Sequence, residues 1–101
     1  MELEVSFRPE AEADLFEIYT YIADNAGLPI AEKYLAPVEA ACLSLATFPE
    51  RGAPRNDLAP GVRLLIFERR ATITYRVEGG RIRIARIFHA GRDYDEDHFS
   101  A

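Results

Sequence analysis

The stretch ATITYRVEGGRIRIARIFH, residues 71–89, decides the fold. Before Gly79-Gly80, Ile73, Tyr75 and Val77 alternate with Thr72, Thr74 and Arg76; after it, Ile82 and Ile84 alternate with Arg81 and Arg83. A period of two predicts two strands, each with one buried face. Gly79-Gly80 predicts a tight hairpin between them, because both residues accept positive φ without steric cost. Simple parity then sets Arg86 on the core side with Ile82, Ile84 and Phe88, and puts Arg83, Ala85, Ile87 and His89 on the other. An unpaired charge on the core side is costly. Arg86 therefore calls for an ion pair that locks the sheet to a helix acid, or for a rim position where it faces a ligand; a β-bulge in this strand also removes the anomaly.

Working outward, Val62–Phe67 predicts a strand joined to 71–77 by Glu68-Arg69-Arg70. The 14 residues Phe48–Gly61 hold three prolines and two glycines, too many breakers for a helix or a central strand, and predict a connecting loop. Upstream, Pro9 with Glu10, Glu12 and Asp14 marks a helix start, where proline lacks only an orphan donor and carboxylates favour the positive end of the dipole. Ala11, Leu15, Ile18, Tyr19, Ile22 and Ala26 fall on one apolar stripe of a helix over 9–25. Gly27 and Pro29 separate it from a second helix over 29–47, with Ala31, Tyr34, Leu35, Val38, Ala41, Cys42, Leu45 and Phe48 inward and a kink or irregular turn expected at Pro37. Leu3, Val5 and Phe7, alternating with Glu2, Glu4 and Ser6, predict a first short strand. The expected fold is α+β in a single domain over 1–101: an N-terminal strand, an antiparallel helix hairpin, then a three-stranded antiparallel meander packed on the helices, in an antiparallel sheet.

At 101 residues the chain has room for one compact domain. Its longest apolar runs, four residues, fall far short of the ~20 that span a bilayer, and no signal segment opens the chain, so a cytoplasmic protein without membrane contact is expected. The lone Cys42 makes no internal disulfide and reads as inert core. Charge is unevenly laid out. Residues 1–50 carry ten acids against Arg8 and Lys33, residues 51–92 carry ten arginines against Asp57, Glu68 and Glu78, and the total is −5. That balance argues against a protein that coats nucleic acid, and no direct sequence-specific nucleic-acid binding is expected. An arginine surface aimed at one acidic partner fits, since arginine forks onto carboxylate or phosphate.

His89, at a strand end beside Arg63, Arg86 and Arg92, supplies the parts of a phosphodiester-cleaving site: a base titrating near neutrality, and cations for the developing charge, with Tyr94 available to stack. The same histidine serves equally as a bond to the turn backbone. Asp93, Asp95, Asp97 and His98 lack the glycine and closing glutamate of a calcium loop and read as a solvated tail. No metal and no cofactor is expected. Tyr19, Tyr21 and Tyr34 read as core or partner-contact residues on helix faces.

Ala13-Asp14-Leu15 with Ile18 and Tyr21-Ile22-Ala23, Leu45 followed by Phe48-Pro49 and Gly52, Gly61-Val62-Arg63, Ile73-Thr74-Tyr75-Arg76-Val77, and Ile84-Ala85-Arg86-Ile87-Phe88-His89 before Arg92-Asp93 occur in the order and spacing of one known group. Over nearly its whole length the chain resembles the RelE/ParE superfamily of type II toxins, in its ParE branch. The resemblance implies a β-α-α-β-β-β toxin encoded beside a ParD-like antitoxin, whose C-terminal segment wraps and silences it, and a role in plasmid or chromosome maintenance. Arg63, Arg83, Arg86, Tyr19 and Ile22 are the expected antitoxin contacts. The ParE branch implies growth inhibition by binding and poisoning DNA gyrase, with no catalytic residues. A RelE-like alternative is a ribosome-dependent endoribonuclease of messenger RNA using His89, Arg63, Arg86 and Arg92, and a second alternative is a non-toxic relative that only binds its antitoxin.

Overall fold

The computed structural model describes residues 3–68 and 70–89. Among the described residues seven elements follow one another: β1 (Glu4–Phe7), α1 (Pro9–Ala26), α2 (Leu28–Ser44), β2 (Ala53–Pro54), β3 (Arg63–Phe67), β4 (Ala71–Glu78) and β5 (Arg81–His89). They form one sheet in the order β1-β5-β4-β3-β2. No helix among the described residues is long and apolar enough to cross a membrane.

The α+β fold and the meander are as the pattern predicts. Gly79 and Gly80 take φ of 53° and 77°, and Glu78 pairs with Arg81 across them, so the two-residue turn fixes the register of β4 on β5. Pro9 opens α1, and Ala11, Ile18 and Ile22 are its buried apolar residues. Gly27, at φ 98°, is the entire link between the helices: its N–H bonds to Ala23 O and its carbonyl receives Ala31 N–H. Positive φ there favours glycine. Pro37 lies inside α2 without breaking it; the helix ends at Ser44, short of the expected 47, and Phe48, in the turn beyond it, is exposed rather than inward. The Lys33 carbonyl that loses its usual partner belongs to an exposed residue, where water can serve. The main core, including Ile22, Leu35, Val38, Leu45, Ile73, Tyr75, Ile82, Ile84 and Ile87, lies between the helices and the sheet.

Three expectations need correction. The sheet is mixed: β1 runs parallel to β5, with Glu4 opposite Arg81 and Phe7 opposite Ile84, because the helix hairpin returns the chain to the far edge. The proline-rich loop contains β2, whose Ala53 and Pro54 pair with Leu64 and Arg63 at the sheet edge, the place where a strand tolerates proline. The same loop folds over the face away from the helices, where Leu58, Val62, Leu64 and Phe88 make a second small core.

The third correction is the parity of β5. Tyr75 pairs with Ile84, but Thr74 pairs with Arg86, so Ala85 is the extra residue of a β-bulge. Beyond it the alternation inverts: Ile87, opposite Ile73, joins the main core, and Phe88 joins the second one. Thr74, fully buried, mends the ladder at this point: its Oγ1 accepts Arg86 N–H (3.1 Å) and donates to Arg86 O (3.3 Å).

Candidate functional site

Arg86 is the residue whose position most needed explaining, and it is ion-paired. β1 covers the outer edge of β5 only as far as Ile84, whose carbonyl takes Arg8 N–H (2.9 Å). There Asp14 of α1 takes over: Oδ2 accepts Ile87 N–H (2.9 Å) and Arg86 Nε (2.7 Å), and Oδ1 accepts Arg86 Nη2 (2.8 Å). Asp14 is 7% exposed. This forked hydrogen bond, against the smaller cost of partial burial, pushes the Arg86 guanidinium above its ordinary range. Arg86 also lies over the Phe88 ring, 5.2 Å from its centroid. Both the ion pair and the bulge foreseen as ways out occur together, and the guanidinium is spent on structure.

Arg63, at the start of β3, donates from Nη1 to the carbonyls of Gly52 (2.7 Å) and Glu50 (3.3 Å) and so pins the loop. Tyr75 pins it from beneath, accepting Gly52 N–H (2.8 Å) and donating to Pro49 O (2.8 Å). Burial, partly offset by the Gly52 hydrogen bond, raises the Tyr75 phenol above its ordinary range. All three arginines expected to meet a partner are half-buried, and of them Arg83 lines a cleft. It stands in a row across the face away from the helices, with Ser6 of β1 on one side and Arg76 of β4 on the other. Arg8, Arg76, Arg83, Glu78 and Ala85 line a cleft of about 220 Å³ there.

Tyr19 packs against the main core and Ile22 lies within it at 9% exposure. The large apolar side chains that α1 presents outward are Phe16, 70% exposed, and Tyr21, 60% exposed. With Glu17, Ile18, Thr20, Asp24 and His89 they line an open groove of about 650 Å³. The extra stripe was visible only as apolar residues outside the core periodicity.

His89 sits at the mouth of this groove, edge-on to Tyr21 and to Tyr34, with ring centroids 5.8 Å away in both cases. Tyr34 itself is clamped to the β3–β4 turn: its hydroxyl donates to Arg70 O (3.1 Å), Arg70 Nη1 donates to Tyr34 O (3.2 Å), and the guanidinium covers its ring at 5.3 Å. His89 pairs across the ladder with Ala71, whereas Arg63 pairs with Tyr75, four residues further along β4. At ~3.3 Å per residue that is about 13 Å along the strands. Arg86 is held by Asp14 instead. The structure thus does not bring His89 together with Arg63 and Arg86; Arg92, Tyr94 and the acids of residues 93–97 with His98 lie outside the described residues. Among the described residues no three His, Cys, Asp or Glu side chains cluster as a metal site. Cys42 is buried, and burial above all pushes its thiol up to about 12.

Comparison with known proteins bears on this arrangement. Residues 5–94 match the family described as the ParE toxin of type II toxin-antitoxin system, parDE. The chain is 34% identical over 90 residues to Toxin ParE1 of Mycobacterium tuberculosis, covering 88% of this chain and 91% of that protein. It is 31% identical over 74 residues to Toxin ParE3 of Caulobacter vibrioides, covering 73% of each. Its fold superposes on a chain of the chromosomal ParDE TA system from P. aeruginosa with a TM-score of 0.77 at 30% identity, covering 88% of this chain and 97% of the other. A chain of the RelBE2 toxin-antitoxin complex of M. tuberculosis, at 22% identity, shares the fold with a TM-score of 0.64, over 88% and 99% of the two chains.

Proposed function

The chain belongs to the ParE toxin family and is a toxin of the type II toxin-antitoxin class; from that premise we propose that it poisons DNA gyrase in the cytoplasm and blocks replication until a ParD-like antitoxin binds it. The observation that carries this reading is the match to the ParE family over residues 5–94. The site geometry supports it. A phosphodiester-cleaving site needs a base and its cations within reach of one phosphate. Here the base stands among aromatic rings while Arg63 and Arg86 are tied to the loop carbonyls and to Asp14. A protein that acts by binding needs only surfaces, and two are available: the Phe16–Tyr21 groove on α1 and the arginine cleft on the opposite face of the sheet. An antitoxin segment that lays an amphipathic helix on the first and acidic side chains on the second would cover both.

The test is expression of the chain without its antitoxin, with induction of the DNA-damage response and cleavage of messenger RNA followed in the same cells. Damage without cleavage is expected. Ribosome-dependent cleavage without damage would replace gyrase by the ribosome, and unimpaired growth would leave a relative that only binds its antitoxin.

A further inference from the structure

The arginine cleft on the open face of the sheet is electrostatically incomplete. Arg76 and Arg83 are direct cross-strand partners, and like charges directly opposite one another destabilise a sheet. Among the described residues no carboxylate stands in ion-pair distance of either; Arg76 Nε is held by Pro60 O (3.0 Å), and Arg83 Nη1 leans on Ser6 Oγ (3.4 Å). Arg8, two residues beyond Ser6 and therefore on the same side of the chain, lines the same cleft and has only a 3.5 Å contact to the exposed Glu10. Both hydrogen bonds hold their guanidinium groups in place without neutralising them.

The size and surroundings of the cleft select the anion. About 220 Å³ suits one or two carboxylate side chains. A nucleic-acid backbone, by contrast, would continue past the cleft, over Glu78 at its rim and towards a chain whose first 50 residues carry ten acids. Discrete carboxylates on a peptide meet none of that repulsion.

We infer that Arg8, Arg76 and Arg83 form a carboxylate-binding cleft that anchors acidic side chains of the antitoxin's toxin-bound segment, one carboxylate forked between Arg76 and Arg83 and a second reached by Arg8. The inference rests on the antitoxin reading given above. It also relocates the anionic anchor from Arg63 and Arg86, which the fold consumes, to Arg8 and Arg76.

The experiment uses the co-purified complex of the chain with the antitoxin encoded beside it. Dissociation rates are compared for the natural chain, for the Arg76→Gln/Arg83→Gln variant and for Arg81→Gln, an exposed neighbour on the same hairpin. The double variant is expected to dissociate at least about tenfold faster at low salt, with the difference shrinking as salt rises, and Arg81→Gln to behave as the natural chain. Thermal unfolding of each free toxin checks that the fold is retained; Arg76→Lys/Arg83→Lys, which keeps charge and loses the fork, is expected to lie between and serves if the glutamine pair misfolds. Equal dissociation rates in all variants overturn the inference and leave the antitoxin reading standing. Loss of duplex-DNA binding with unchanged antitoxin dissociation overturns it in favour of a phosphate site. A natural chain that the neighbouring protein does not bind removes the antitoxin reading itself.

Discussion

Cutting the bond between Asp14 and Arg86 should unfold much of what the chain's marginal stability protects. The carboxylate is 7% exposed and carries three hydrogen bonds, two from Arg86 and one from Ile87 N–H. Removing one member of such a pair leaves an uncompensated charge and typically costs about 3–5 kcal/mol. Arg86 keeps a side-chain exposure of 24%, so water relieves part of the loss in Asp14→Ala, and a value near the lower end, about 3 kcal/mol, is expected. Arg86→Ala should cost as much or more, because it strands the carboxylate, the more buried partner. A domain of this size is stable by about 5–15 kcal/mol, so either change removes a fifth to more than half of the total and lowers Tm by on the order of 15 °C. Urea unfolding of the free toxin measures this as a lower midpoint at unchanged slope. The double variant should cost clearly less than the two single changes together, by at least about 1 kcal/mol. Single variants within about 0.5 kcal/mol of the natural chain, or costs that simply add, would refute the view that this pair locks α1 to the bulged strand.

Three further outcomes follow from particular contacts. A Cβ at Gly52 would stand 2.8 Å from both Cε1 and the hydroxyl of Tyr75, so Gly52→Ala should cost about 1–3 kcal/mol in the same unfolding assay and loosen the loop to proteolysis. The buried Cys42 thiol stays protonated up to about 12 while the unfolded thiol ionises from about 9.0, so the folded state holds the extra proton and stability falls as pH rises through that window. Tyr34 and Tyr75, also raised, act in the same sense, and Cys42→Ala should therefore flatten the alkaline loss by up to about 1.4 kcal/mol per pH unit, read from urea midpoints at neutral and alkaline pH. His89→Ala removes two edge-on ring contacts and should lower Tm slightly while leaving growth inhibition intact; a folded but harmless variant would overturn this and show that His89 takes part in the toxic action.

The hairpin, the apolar stripes and the order of elements were legible because each follows from local periodicity or from a residue with one conformational use. The Gly79-Gly80 turn even carried the register that sets Arg76 opposite Arg83, so that half of the arginine cleft was open to derivation from the sequence. Ala85 hid the rest. A bulge has no compositional mark, and one extra residue exchanged the faces of Ile87 and Phe88 and swung Arg86 to the edge. Asp14 read as one more acid of a helix start, since nothing local distinguishes a carboxylate that will meet a strand 72 residues later. The parallel docking of β1 was invisible for the same reason: pairing partners far apart leave no trace in a window of a dozen residues. Ile22 and Tyr19 were legible as members of the apolar stripe of α1, and the protein's own core takes that stripe.

The place of β1 beside β5 also governs when the protein can exist. Glu4 through Phe7 find their partners only at Arg81 through Ile84, a sequence separation of 77 residues. β5 is at once the neighbour of the first strand and of β4, so a nascent chain lacking it has neither the closing ladder nor the backbone that Asp14 binds. Pairings this distant close late and slowly. During synthesis the helix hairpin is complete long before the sheet, and its apolar faces wait uncovered until the ribosome has passed His89. A chain wired in this way reaches its fold only once β5 has been made, so the surfaces that any partner would recognise are assembled together and late.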